Sequence, residues 1–157
     1  MAMPLFNMTE LRGRLAPGQR LLGLDPGSRT IGVALSDVSL LLASPYGSLR
    51  RGKLAANAAE VSAIAGRQNA AGLVVGLPLS MDGSAGPAAQ AARDWTHALS
   101  QATGLPAALW DERLSSSAVN RLLIDEVDMT RRRRAEVVDR MAAAYLLQAA
   151  LDASRPA

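Results

Sequence analysis

Hydrophobic positions along the chain change period several times, and the changes mark out its elements. Arg20 to Asp25 reads RLLGLD, a short apolar run that ends in a carboxylate. Pro26-Gly27-Ser28 is a turn signal. Thr30 to Ser36 reads TIGVALS, aliphatic and β-branched, so the two runs predict an antiparallel hairpin. A third strand is expected between Leu40 and Leu49, with Pro45 pointing to an edge or an irregular end. From Lys53 to Gln68 the apolar residues Leu54, Ala58, Val61 and Ala65 recur at helical spacing. Gly72 to Gly76 (GLVVG) reads as a buried strand, and Leu77 to Gly86 as a loop. Pro87 to Thr103 predicts an alanine-rich helix, with Pro87 suited to its first position and Gly104 to its end. Leu105 to Trp110 is a further short strand. Ser115 to Glu126 predicts a helix capped from the Ser115-Ser116-Ser117 run, and Ala135 to Ala153 a long Ala/Leu helix.

The order is β-β-β-α-β-α-β-α-α. Early antiparallel strands followed by strands alternating with helices imply an α/β domain: a mixed five-stranded sheet with helices on both faces. No repeat or linker divides the chain, so residues 20–153 are expected to form one domain and residues 1–19 a short N-terminal extension.

Composition narrows the class. The 157 residues are 49% hydrophobic and 20% charged, a globular balance with length enough for a core. Aromatics are only 3%, so that core must be aliphatic. With no cysteine, disulfides and thiolate-bound zinc are excluded. The net charge of +3 is carried almost wholly by arginine, since Lys53 is the single lysine. Arginine pairs with phosphate through a planar fork, and the run Arg131-Arg132-Arg133-Arg134 concentrates it. No stretch approaches the roughly 18 apolar residues of a membrane span. The first residues lack the apolar core of a signal peptide, so the expectation is a cytoplasmic protein without a membrane partner.

Three acids stand out. Asp25 ends the first strand, Asp111-Glu112 follows the fifth, and Asp139 lies in the mostly apolar helix VVDRMAAAYLL. In open α/β sheets, ligands sit beyond the carboxyl ends of parallel strands. Carboxylates gathered there repel one another unless a cation neutralises them, and oxygen-only ligands suit Mg²⁺ or Mn²⁺. Each acid also has a structural alternative. Asp25 before Pro-Gly is an ordinary turn residue, Asp111-Glu112-Arg113 can form a local ion pair, and Asp139 can pair with Arg140 or Arg134. The lone histidine, His97, has no catalytic setting, and Trp95 and Trp110 are expected in or near the core.

The segments GLDPGSRTIGVALSD (Gly23 to Asp37), VVGLPLSMDGSAG (Val74 to Gly86), WDERLSSSAVNRLL (Trp110 to Leu123) and VVDRMAAAYLLQAAL (Val137 to Leu151) resemble the signatures of the YqgF (RuvX) family, in the family's order. The resemblance implies an RNase H-like fold related to the RuvC-type junction resolvases. It also implies a metal-dependent hydrolase, described both as a Holliday junction resolvase and as a nuclease for the 5′ end of pre-16S ribosomal RNA. Carried over by position, Asp25, Glu112 and Asp139 are the catalytic and metal-binding acids, with Asp111 as the alternate to Glu112. Adjacent strand residues point to opposite faces, so only one of that pair is expected to face the metals.

A substrate platform is expected around these acids. Gly27 allows close backbone approach, Arg29 lies in the same turn, and Arg113 can clamp a phosphate or orient Glu112. The loop from Pro78 to Gly86 leads into a helix N-terminus. Arg131, Arg132, Arg133 and Arg134 are expected to form a basic loop before the last helix and to grip nucleic acid. Partners are then structured RNA or four-way DNA junctions, for a monomer or a homodimer. Two other classes fit less well. Asp-Pro-Gly-Ser-Arg-Thr-Ile-Gly also resembles the first phosphate loop of the actin and sugar-kinase superfamily, but enclosing ATP there takes two such domains. A non-catalytic module for ribosome assembly or transcription would not need all three acids.

Overall fold

The computed structural model describes residues 4–78, 84–111 and 131–156, with backbone alone for residues 131–137. Five strands form one sheet in the order β3-β2-β1-β4-β5. They are β1 (Arg20–Pro26), β2 (Thr30–Ser36), β3 (Ala43–Arg50), β4 (Ala70–Leu77) and β5 (Ala107–Asp111). β2 runs antiparallel to both β1 and β3, whereas β1, β4 and β5 are parallel. β1, β3, β4 and β5 therefore all end at one margin of the sheet. β3 is the edge strand, as Pro45 foretold, and its register with β2 slips next to that proline.

The helices are α1 (Met8–Gly13), α2 (Leu54–Gln68), α3 (Pro87–Thr103) and α4 (Arg131–Ala153). Pro87 opens α3 at a position whose N–H has no helical partner, and Gly104 closes it at φ 72°. α2 closes in the same way on Asn69, at φ 55°. On one face α2 and α3 pack a large aliphatic cluster that includes Leu22, Leu24, Ile31, Val33, Val61, Leu73, Val75 and Leu99. On the other, α1 and α4 bury Leu11, Leu21, Ala34, Val74, Ala143, Leu147 and Leu151. Trp95 packs against the first cluster and Trp110 against the second.

The structure departs from the sequence expectation in two places. Residues before Arg20 are built into the fold: Phe6 adds a parallel bridge beside Ala108 on β5, and Leu11 is wholly buried. α1 has only six residues, too few to show a period, and is fixed by a capping box between Asn7 and Glu10. The second departure is at Arg131–Arg134, which form the first turn of α4 rather than a loop before it. Arginine is a good helix former. Cations at a helix N-terminus oppose its dipole, but the helical propensity of the run continues the Ala/Leu helix back to Arg131. The helix expected over Ser115 to Glu126 lies outside the described residues.

Candidate active site

α4 lies directly on the sheet because two strand positions carry no side chain. A Cβ at Gly23 would stand 2.9 Å from Leu147 Cβ and 3.1 Å from the Ala143 carbonyl. A Cβ at Gly32 would collide with the backbone carbonyl of Asp139. Asp139, Ala143 and Leu147 are four residues apart and so line one side of the helix. That stripe crosses β2 at Gly32 and β1 at Gly23. A glycine inside an otherwise β-branched strand signals such close backbone approach, and Thr30-Ile31-Gly32-Val33 carries the signal.

The crossing puts two acids on one face of the sheet. Asp25 is the ladder partner of Gly32. Its neighbours on β1 at alternate positions, Leu21 and Gly23, face α4, and alternation gives Asp25 the same face. Asp139 lies over Gly32 on that face, and Thr30 Oγ1 donates a hydrogen bond to its carboxylate. Both acids are half-buried. Thr30 is thus a positioning group that the reading of the sequence did not single out.

Asp111 is arranged differently. It ends β5 beside Leu77 of β4. Leu109 packs on the α2/α3 side and Trp110 on the α4 side, so alternation turns Asp111 away from the face that holds Asp25 and Asp139. Glu112 and Arg113 lie outside the described residues, as do the side chains of Arg131, Arg132, Arg133 and Arg134. Among the described residues no group of three or more His, Cys, Asp or Glu is placed to hold a metal ion. The two acids that do share a face are hard oxygen donors of the kind Mg²⁺ or Mn²⁺ prefers.

The β1–β2 turn closes through Gly27, whose N–H donates to the Thr30 carbonyl at 2.8 Å. An added Cβ would stand 3.1 Å from that same oxygen, so the turn accounts for this glycine without a ligand. Arg29 is exposed in the turn, and its carbonyl accepts from the Arg51 N–H at 2.8 Å. Arg51 also donates from its guanidinium to the Gly27 carbonyl at 2.7 Å and stacks on Trp95 at 5.5 Å. It is a brace for the turn that pattern reading has no means of finding. His97 is exposed on α3.

Comparison with known proteins agrees with this architecture. Residues 19–153 match the model of the RuvX family, described as a Holliday junction resolvase. A protein of Gluconacetobacter diazotrophicus is 71% identical over 97% of this chain and 99% of its own length, and one of Gluconobacter oxydans is 69% identical over 98% and 96%. Both carry the name "Putative pre-16S rRNA nuclease". Among solved structures, T. thermophilus RuvC in complex with Holliday junction substrate superposes with a TM-score of 0.52 at 16% identity, over 86% of this chain and 94% of that one. That likeness establishes the RNase H-like fold.

Proposed function

The chain belongs to the RuvX family, and from that premise we propose that it is a cytoplasmic, metal-dependent nuclease that hydrolyses phosphodiester bonds of structured nucleic acid, trimming the 5′ end of pre-16S rRNA. Asp25, Glu112 and Asp139 are its catalytic carboxylates. The observation that carries this reading is the crossing of α4 over Gly32, the ladder partner of Asp25, with Asp139 on the face that alternation assigns to Asp25 near the end of β1. The relatives' name supplies the substrate. The position of Asp111 on the opposite face supports Glu112, not its neighbour, as the third acid.

In this mechanism the three carboxylates would hold Mg²⁺ or Mn²⁺, which supplies activation of water and neutralisation of charge on the scissile phosphate. Thr30 fixes the Asp139 carboxylate in one orientation, so no side-chain freedom is lost when substrate arrives. The glycines beneath α4 let the helix seat directly on the sheet and so hold that carboxylate in place. Arg29, Arg113 and Arg131 to Arg134 are the cations that would hold the sugar-phosphate backbone.

The test is cleavage in Mg²⁺ or Mn²⁺ of a pre-16S 5′-end RNA and of a four-way DNA junction, the latter prompted by the family description. RNA is expected to be cut and the junction to be left intact. Asp25→Asn, Glu112→Gln and Asp139→Asn should each lose a hundredfold or more, roughly the scale of removing one group that stabilises transition-state charge. Asp111→Asn should retain activity. An active Asp25→Asn or Asp139→Asn variant would remove that acid from the mechanism. Junction cleavage without RNA cleavage would transfer the activity to recombination, which needs two active sites and hence a dimer.

A further inference from the structure

Arg50 and Arg51 are adjacent, both arginine and both exposed, yet their surroundings differ. Arg51 is committed to the turn, through the Gly27 carbonyl and the Trp95 ring. Among the described residues the Arg50 guanidinium makes no hydrogen bond or ion pair. Its backbone, by contrast, is fixed. The Arg50 carbonyl accepts at 3.0 Å from the amide of Asn57, which is buried to 1% exposure and whose Oδ1 accepts from the Gly52 N–H at 2.9 Å.

The register says where this cation points. Arg50 is the ladder partner of Thr30, and Leu49 that of Ile31. Paired residues share a face. Ile31 and Leu49 pack on the α2/α3 side, so Thr30 and Arg50 lie on the α4 side. Thr30 is the residue that bonds Asp139. Arg50 therefore stands one strand away from the Thr30–Asp139 pair, on the edge strand, with Cβ atoms about 5 Å apart across the ladder. Asp25, by the same register, is level with Gly32 and Ser48. The Arg50 backbone is thus two strands across and two residues along, about 12 Å away.

An exposed arginine beside a carboxylate, on a rigid backbone and without an ion pair to it, is set for a different anion. We propose that Arg50 binds a backbone phosphate of the nucleic acid beside the scissile one, on the β3 side of the carboxylates. This deepens the nuclease reading and rests on it. It adds a contact on the flank opposite β5, so that substrate crosses the margin of the sheet from β5 toward β3.

The experiment measures binding of a fluorescent stem-loop RNA with a single-stranded 5′ extension, in Ca²⁺ in place of Mg²⁺, across several salt concentrations. Arg50→Ala should weaken binding roughly tenfold, the scale of one charge-assisted contact. It should also reduce the slope of log affinity against log salt by about 0.7 for a single-strand contact or about 0.9 for a duplex one. In cleavage assays KM should rise while kcat stays near that of the unmodified protein, and Arg50→Lys should recover the slope but not the full affinity. Arg67→Ala, an exposed cation at the far end of α2, should leave binding and slope unaltered. Because the chain has no cysteine, Arg50→Cys carries the only thiol, and a photocrosslinker attached there should capture the RNA. An Arg50→Ala variant with unchanged slope, or a crosslinker that fails to capture bound RNA, would overturn the proposal. The carboxylate reading fails separately: Asp25→Asn would then cleave, whatever Arg50 does to the salt slope.

Discussion

The two ends of α4 are held in opposite ways. Toward its C-terminus, Gln148, Ser154 and the Leu151 carbonyl are tied to neighbouring segments. Arg12 donates to the carbonyls of Leu40 and Leu151 and to Ser154 Oγ at 3.3–3.5 Å. Gln148 accepts from the Ala43 N–H and donates to the Leu41 carbonyl. Toward its N-terminus, Asp139 takes one hydrogen bond from Thr30 and faces a margin lined with exposed arginines. One end is spent on cohesion; the other keeps charge available. Burial and hydrogen bonding at the first end stabilise the position of the second, where Asp139 stays half-buried beside exposed arginines.

The strongest way to break this division is to lift α4 from the sheet where the two regimes meet. Gly32→Ala drives a Cβ into backbone, not into a side chain that can rotate away. The expected cost is about 3 kcal/mol, the upper part of the range for overpacking, or a fall in Tm of roughly 6–12 °C for a chain of this size. Activity per folded molecule should fall as well, since Asp139 moves with the helix. Gly47→Ala on the adjacent edge strand meets nothing within 4 Å and should be nearly neutral. Equal thermal melts for the two variants would mean that the close contact at Gly32 does not position Asp139.

Most of the scaffold could be read from local pattern. β2 and α3 begin and end at the expected residues because a turn signal, Pro87 and Gly104 punctuate them. The mixed sheet followed from element order, and Pro45 placed β3 at the edge. What escaped depends on contacts between distant segments. α1 is a single docked turn and a half whose stability comes from burying Leu11. Arg131–Arg134 are helical although their charge opposes the dipole. At the site, Asp25 and Asp139 were legible as acids in apolar settings, but the Thr30 hydroxyl that orients Asp139 was not. Arg50 and Arg51 show the limit most clearly, since only register and packing separate the Arg51 brace from Arg50, whose guanidinium has no partner among the described residues.

A smaller effect should sharpen the contrast from the cohesive end. Arg12→Ala removes a partly buried cation from the last carbonyls of α4, where it also complements the helix dipole. The expected loss is about 1–2 kcal/mol, measurable as a lower denaturant midpoint. Leu40, held at φ 56° in the loop that Arg12 also touches, should become more mobile. Catalysis by the folded fraction should not change, because Asp139 lies three turns away. A parallel loss of kcat would show that the ends are coupled and the division false.

The smallest expected effect concerns acid. Asp37 Oδ1 accepts from the amides of Leu42 at 3.1 Å and Leu41 at 2.8 Å. The Leu42 amide is the larger influence. Together with Leu41 and the charge of Arg20, it outweighs partial burial and holds the Asp37 carboxyl below its ordinary range. A carboxyl whose pKa is lower folded than unfolded binds protons more readily in the unfolded chain. Its contribution is therefore complete above the unfolded value, about 3.9, and is lost as pH falls through the lower folded value. Protonation there releases the turn that presents Leu40 to Arg12 and Leu41 to Gln148, so the cohesive end of α4 should loosen first in acid. Asp37→Asn keeps an acceptor oxygen but cannot titrate. It should melt slightly below the unmodified protein at neutral pH, and the difference should shrink as pH drops below about 4. Thermal melts of both proteins from neutral to acid pH measure this, and a gap that stays constant across that range would show that Asp37 does not link acid to the α4 anchor.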